Sequence, residues 1–143
     1  MIEVKTNQQQ NIRLLAVKAL SEINRNGAYA NIKLQEYLQK YHLSDLDRRF
    51  FTELVYGVIR RKNYLDAIIV FFAKRPLKKL SSMVVEILRL GIYQIIYMDK
   101  VPESAAVNES VKLAKKLTRG LSGFVNAVLR SVCLLYTSDA ADD

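Results

Sequence analysis

LRLGIYQIIYMDKVPESAAVNESVKLAKKL, residues 88–117, decides the fold, because its character changes once, at Pro102. Before the proline, and reading back to Val84, the apolar residues Val84, Ile87, Leu88, Gly91, Ile92, Ile95 and Ile96 leave almost no polar face at a helical period. Glu86, Arg89 and Gln94 interrupt them. A helix that is apolar nearly all round is the buried centre of a bundle. Ser81 or Ser82 offers it an N-cap. Gly91 in its middle costs about 1 kcal/mol relative to alanine, so the sequence implies a close helix approach there. After the break Pro102 suits a helix start, Glu103 falls in the first turn, and Lys112, Lys115 and Lys116 lie near the end. Both charge placements complement the helix dipole.

The same period extends in both directions. Gly120 and Gly123 mark a short connection, after which Phe124, Val125, Val128 and Leu129 stripe a last helix. Upstream, Leu46 to Lys74 stays helical for too long to be one ordinary helix, so a break or kink is expected near Arg60–Asn63. Leu54, Val55, Val58 and Ile59 face inward before it, and Leu65, Ile68, Ile69 and Phe72 after it. Pro76 ends that stretch. Ser44 is placed to cap its start, with Asp45 and Asp47 in the first turn. An earlier helix, from about Ala30 to Tyr41, carries Ile32, Leu34, Tyr37 and Leu38. The first helix carries the stripe Ile12, Leu15, Ala16, Ala19, Leu20 and Ile23, closed by Gly27 as a left-handed cap. No segment alternates with a period of two, so the expected fold class is all-α with about seven helices.

The 143-residue chain has 22 Lys and Arg against 14 Asp and Glu, a formal charge of +8. Every basic residue precedes Cys133 and three of the acidic ones follow it, which leaves residues 1–132 at +11. Half the residues are hydrophobic, enough for a packed core. A folded domain this basic points to a polyanionic partner. The single cysteine permits no internal disulfide, and the single histidine, His42, rules out the usual zinc clusters. MIEVKTNQQQN has no apolar core, and the longest unbroken apolar run, Ala67 to Ala73, is far short of a membrane span. These features point to a cytoplasmic protein with no membrane partner.

Catalytic chemistry is not legible. The five glycines form no phosphate-binding or dinucleotide-binding pattern, and one histidine with one cysteine makes no nucleophilic set. Paired carboxylates such as Asp45 and Asp47 read as helix-start charges. No catalytic, cofactor-binding or metal-binding residue is therefore assigned. What remains is basic surface: Arg48–Arg49, Arg60–Arg61–Lys62, Lys74–Arg75, Lys78–Lys79 and Lys115–Lys116–Arg119. Each alone reads as a solvated helix face; together they can neutralise several phosphates. Tyr29, Tyr37, Tyr41, Tyr64, Tyr93 and Tyr97 are candidates for stacking on bases, although tyrosines at helical spacing also serve as core or rim residues.

Residues 88–117 together with GLSGFVNAVLRS, residues 120–131, resemble the NusB-like domain family. FFTELVYGVIRRKNYLD at 50–66 fits the same pattern, and the resemblance covers nearly all of residues 7–131. It implies a pair of small packed helical bundles. The family has two main branches. One is the N-terminal domain of 16S rRNA cytosine-C5 methyltransferases of the RsmB (Sun, Fmu) type. The other is the free-standing transcription antitermination factor, which binds RNA together with a small ribosomal protein. LRLGIYQ, AAVNESVKLAKK and SGFVNAVLR ending in Arg130 are closer to the methyltransferase branch.

That branch implies an RNA-binding domain, residues 5–132, that helps position small-subunit rRNA. Catalysis and S-adenosylmethionine would then belong to a C-terminal domain not included here. The resemblance makes Lys5, Arg13 and Lys18 of the first helix RNA-contact candidates; the basic clusters add Arg60, Arg61, Lys112, Lys115, Lys116 and Arg119. Gly91, Pro102, Asn108, Glu109, Phe124, Asn126 and Arg130 read as fold signature. Glu109 and Lys112 form an i, i+3 pair, and Asn108 and Asn126 are expected to bridge helices or tie a loop.

The ending CLLYTSDAADD, residues 133–143, differs from everything before it: it has no basic residue and holds the lone cysteine. The bases TGT CTC TTA TAC ACA TCT GAC GCT GCC GAC, one frame of a common transposon-end sequencing adapter, encode residues 133–142 in order. Residues 133–143 are therefore expected to be an adapter-derived tail, with the natural sequence leaving the chain near Val132 as part of a longer gene product.

Overall fold

A computed structural model of the protein describes residues 12–27 and 29–142. Among the described residues there are seven α-helices and no strand, in the order α1 (Ile12–Asn26), α2 (Ala30–Lys40), α3 (Asp45–Arg60), α4 (Lys62–Ala73), α5 (Ser82–Tyr97), α6 (Glu103–Leu117) and α7 (Ser122–Asp142). A 3₁₀ turn at Leu77–Lys79 lies between α4 and α5. The described residues form two compact units, divided between Arg60 and Arg61. The expected break falls where the sequence placed it: Arg61 leaves helical geometry between α3 and α4.

In the first unit α1 packs against α2 and α3. All six residues of its predicted stripe are buried, and Leu14 and Val17 widen it. Gly27 follows with φ 64°, the left-handed conformation that glycine adopts without steric cost. The N–H of Asp47 donates to Ser44 Oγ at 3.2 Å, so Ser44 caps α3. Phe51, Leu54, Val55 and Val58 of α3 and Leu34 and Leu38 of α2 complete the core. Ile59 is half-buried. Ile32, one of the apolar residues of this helix, is 53% exposed. It precedes Leu34 by two residues, about 200° around the helix, and α2 buries only the narrow face of Leu34 and Leu38. Tyr37 ties the unit together: its hydroxyl donates to Glu22 at 2.9 Å and its ring stacks on Phe51 at 5.8 Å. Burial, then the Glu22 carboxylate, raises its phenol pKa well above the ordinary value.

In the second unit α5 is the centre, packed against α4, α6 and α7. It is buried without a break from Val84 to Gln94, and Ser81 Oγ caps it by accepting from the Val84 N–H at 3.2 Å. Gly91 marks a close approach: a Cβ there would lie 2.8 Å from Ser110 Oγ of α6 and 2.9 Å from Leu129 Cδ1 of α7. α4 ends at Lys74, φ 57°, whose N–H bonds back to the Val70 carbonyl, two residues before Pro76. Phe72, expected inward, is half-buried and meets Phe71 edge-on at 5.0 Å. α7 buries Val125, Val128, Leu129 and Val132, and its helix continues through the adapter-like residues to Asp142.

The polar residues that interrupt the α5 pattern are inside. Arg89 is 6% exposed and donates two parallel hydrogen bonds to Asp66 of α4, Nε to Oδ1 at 2.6 Å and Nη2 to Oδ2 at 2.9 Å. Its Nη1 lies 3.2 Å from Glu86 Oε2 one turn earlier, and Glu86 is 4% exposed. Burial works against the Arg89 cation, but the hydrogen bond to Asp66 and the charges of Glu86 and Asp66 outweigh it and hold its pKa above the ordinary guanidinium value. Gln94 Nε2 donates to the Leu90 carbonyl at 3.0 Å. Among the described residues, no helix is long and apolar enough to cross a membrane.

Candidate nucleic-acid interface

The basic candidates divide between the two units. In the first, Lys18 of α1 is exposed, whereas Arg13 is half-buried with its guanidinium 5.1 Å over the Phe50 ring. Lys5 lies outside the described residues. Arg60, at the end of α3, is exposed and belongs to a groove of about 420 Å³. Leu38 supplies one wall; Arg48, Arg49, Thr52, Glu53, Tyr56 and Arg60 supply the rest. Arg49, Glu53, Tyr56 and Arg60 recur at i, i+4, i+7 and i+11, which is one helix face. Arg48, Arg49 and Arg60 form no ion pair or ring contact with any described residue.

In the second unit Arg61 lies with its guanidinium 4.5 Å over the Tyr97 ring. Lys112, Lys115 and Lys116 share the C-terminal end of α6 and are exposed, as is Arg119 just beyond it. Lys112 is held by Glu109 at 3.2 Å, the i, i+3 pair expected from the sequence. Lys115 and Lys116 project from the last turn, where cations also favour the helix dipole. Arg75 sits 5.3 Å over Phe124, which keeps that ring partly covered at the start of α7.

The asparagines do not act as buried bridges. Asn108 is exposed, and Asn126 is half-buried and accepts from Arg130 Nε of its own helix at 3.0 Å. With polar groups so close to water, no buried partner is required of them. Asn108 and Arg130 instead line a second groove, of about 400 Å³, between the start of α6 and the middle of α7, with Glu103 and Cys133. Among the described residues no group of three His, Cys, Asp or Glu side chains could hold a metal ion.

Most of the tyrosines proposed for base stacking already have partners. Tyr37 contacts Tyr41 and Phe51, and Tyr93 is buried and stacks on Tyr97 at 5.2 Å. Tyr29 and Tyr64 are exposed. Tyr56, half-buried in the arginine groove, is missing from the sequence candidates, as is the conjunction of Arg48 and Arg49 with Arg60. The sequence signal for it is the i, i+7, i+11 spacing of Arg49, Tyr56 and Arg60, which contiguous runs of charge do not contain.

The sequence model of the NusB family matches residues 10–133. The chain is 48% identical over 119 residues to the probable ribosomal RNA small subunit methyltransferase B of Synechocystis, covering 82% of this chain and 27% of that protein. It is 31% identical over 122 residues to the transcription antitermination protein NusB of Finegoldia magna, covering 84% of this chain and 89% of that one. A solved complex of antitermination factors NusB and NusE with double-stranded RNA contains a chain that superposes with a TM-score of 0.79 at 22% identity, over 91% of this chain and 98% of that chain. The chain thus spans about a quarter of the length of the methyltransferase relative and most of the length of the antitermination relative.

Proposed function

The chain belongs to the NusB family, and on that premise we propose that it is the RNA-binding N-terminal domain of a small-subunit rRNA cytosine-C5 methyltransferase. The observation that carries this reading is the 48% identity to the Synechocystis methyltransferase, confined to about a quarter of that protein. In this reading residues 5–132 are the natural domain, residues 133–143 come from the adapter, and the protein works in the cytoplasm. Its partners are small-subunit rRNA and a C-terminal catalytic domain of the same polypeptide. S-adenosylmethionine, the methyl donor of such a reaction, belongs to that second domain. The domain's own work is electrostatic. Exposed Lys and Arg on both units displace the counterions of an RNA backbone, so binding should weaken steeply with salt.

A second reading, a free-standing antitermination factor that binds RNA with a small ribosomal protein, is favoured by one observation. The NusB relatives match at 31–32% identity over 84–95% of their own length. Sequencing the source locus past codon 132 with adapter removed separates the two. An open frame running into a glycine-rich cofactor loop supports the methyltransferase; a stop codon within a few residues supports the antitermination factor. Fluorescence anisotropy with labelled 16S rRNA fragments tests the shared RNA-binding claim, and salt-independent binding, or none at low ionic strength, would refute it.

A further inference from the structure

We propose that the arginine groove on α3, built by Arg48, Arg49, Tyr56 and Arg60 around Glu53, is an RNA-backbone site that takes an unpaired strand. This rests on the RNA-binding reading above and names the surface that carries it. Three guanidinium groups line one groove and none is neutralised by a described residue, although elsewhere in the molecule Arg89, Lys33 and Lys112 are in ion pairs. Like charges gathered in a concave surface repel one another, and an anion placed among them relieves that repulsion. Arginine presents planar donor forks that match phosphate oxygens in pairs.

The dimensions suit a polymer. Arg49 and Arg60 are eleven residues apart on a straight helix, about 16 Å at 1.5 Å per residue. That spacing seats several successive phosphates of one strand rather than one small anion. Between the two arginine ends lies Tyr56, half-buried, so that one ring face can meet a base at little entropic cost. Glu53 lies at the centre of the same face. A carboxylate only accepts hydrogen bonds, so it disfavours a phosphate at that point and favours a ribose 2′-hydroxyl or a base amino group. The pattern of cation, acceptor, aromatic ring and cation thus alternates as phosphate, sugar and base do in an unpaired ribonucleotide strand. An acidic peptide would meet the same three arginines but gives no use to the ring and is opposed by Glu53.

The test compares two charge-matched variants of the full chain: Arg48→Gln with Arg49→Gln and Arg60→Gln, against Lys115→Gln with Lys116→Gln and Arg119→Gln. The probes are a single-stranded 16S rRNA fragment, the DNA strand of the same sequence, and poly-glutamate as competitor. The groove variant should lose at least about tenfold in affinity and about 2 from the slope of log K against log salt, the share of three phosphates on a single strand. The α6 variant should lose less on both counts. Arg49→Lys with Arg60→Lys keeps the charge but not the fork, and should bind a few-fold more weakly with its unfolding midpoint unchanged. Discrimination of RNA over DNA should fall in Glu53→Gln. A groove variant that binds as wild type does, while the α6 variant fails, overturns the proposal and leaves the RNA-binding reading standing. Poly-glutamate competing as well as RNA of equal charge assigns the groove to a protein strand and also overturns it. Wild-type chain that binds no RNA at low salt removes the reading itself.

Discussion

Replacing Arg89 by methionine should cost the second unit a large part of its margin of stability. The side chain is 6% exposed and its guanidinium serves two acids, Asp66 through two hydrogen bonds at 2.6 and 2.9 Å and Glu86 at 3.2 Å. Methionine fills a similar volume, so the loss is electrostatic rather than a cavity. It leaves two carboxylates on α4 and α5 without their shared cation, one of them on a residue only 4% exposed. Removing one partner of a buried ion network costs about 3–5 kcal/mol. A small protein has only about 5–15 kcal/mol in total, so this is a large fraction of the whole. With a urea dependence of about 1–3 kcal/mol per molar, the midpoint followed by circular dichroism should fall by about 1–5 M. If the penalty comes from stranded charge, then Arg89→Met combined with Asp66→Leu and Glu86→Leu removes every ion and should recover much of the loss. A single variant within about 1 kcal/mol of wild type, or a triple variant less stable than the single one, would refute the account.

Two further perturbations read the helix contacts directly. Gly91→Val places a branched Cβ where 2.8 and 2.9 Å already separate that point from Ser110 Oγ and Leu129 Cδ1, and should cost about 1–3 kcal/mol in urea unfolding by overpacking. Burial, reinforced by the Glu103 carboxylate, pushes the Cys133 thiol up to about 11 from an ordinary 9.0. The folded chain therefore holds that proton more tightly than the unfolded one. Iodoacetamide at pH 8 should label it roughly a hundredfold more slowly than in denaturant, the ratio of thiolate fractions for a shift of two pKa units. The same sign makes this contribution to stability constant below about pH 9 and lost as pH rises through about 11. Equal labelling rates would show that the groove between α6 and α7 leaves the thiol in water.

Much of the architecture was legible because helices announce themselves locally. The stripe from Ile12 to Ile23, the caps at Ser44 and Ser81, the left-handed Gly27 and the break at Arg61 each depend on a few neighbouring residues. Gly91 was readable for the same reason, since a glycine inside a strongly apolar helix has few uses other than close approach. The motifs of residues 88–131 carried the family, which the match over residues 10–133 bears out.

Partnership was not legible. Glu86 and Arg89 looked like interruptions of an apolar run, yet they are buried, because Asp66 on another helix makes burial affordable. Asn108 and Asn126, read as bridging helices or tying a loop, lie at or near the surface. The arginine groove was scattered among three separate stretches of sequence, and only winding α3 through three turns puts Arg49, Tyr56 and Arg60 on one face beside Leu38. Sequence alone determined the class of fold, the helix ends and the excess of positive charge, all of which follow from local geometry and composition. Tertiary structure decided which charges are neutralised inside and which stay free to meet a partner. Burial and pairing depend on what other helices bring within a few ångströms, and no single stretch of sequence holds that information.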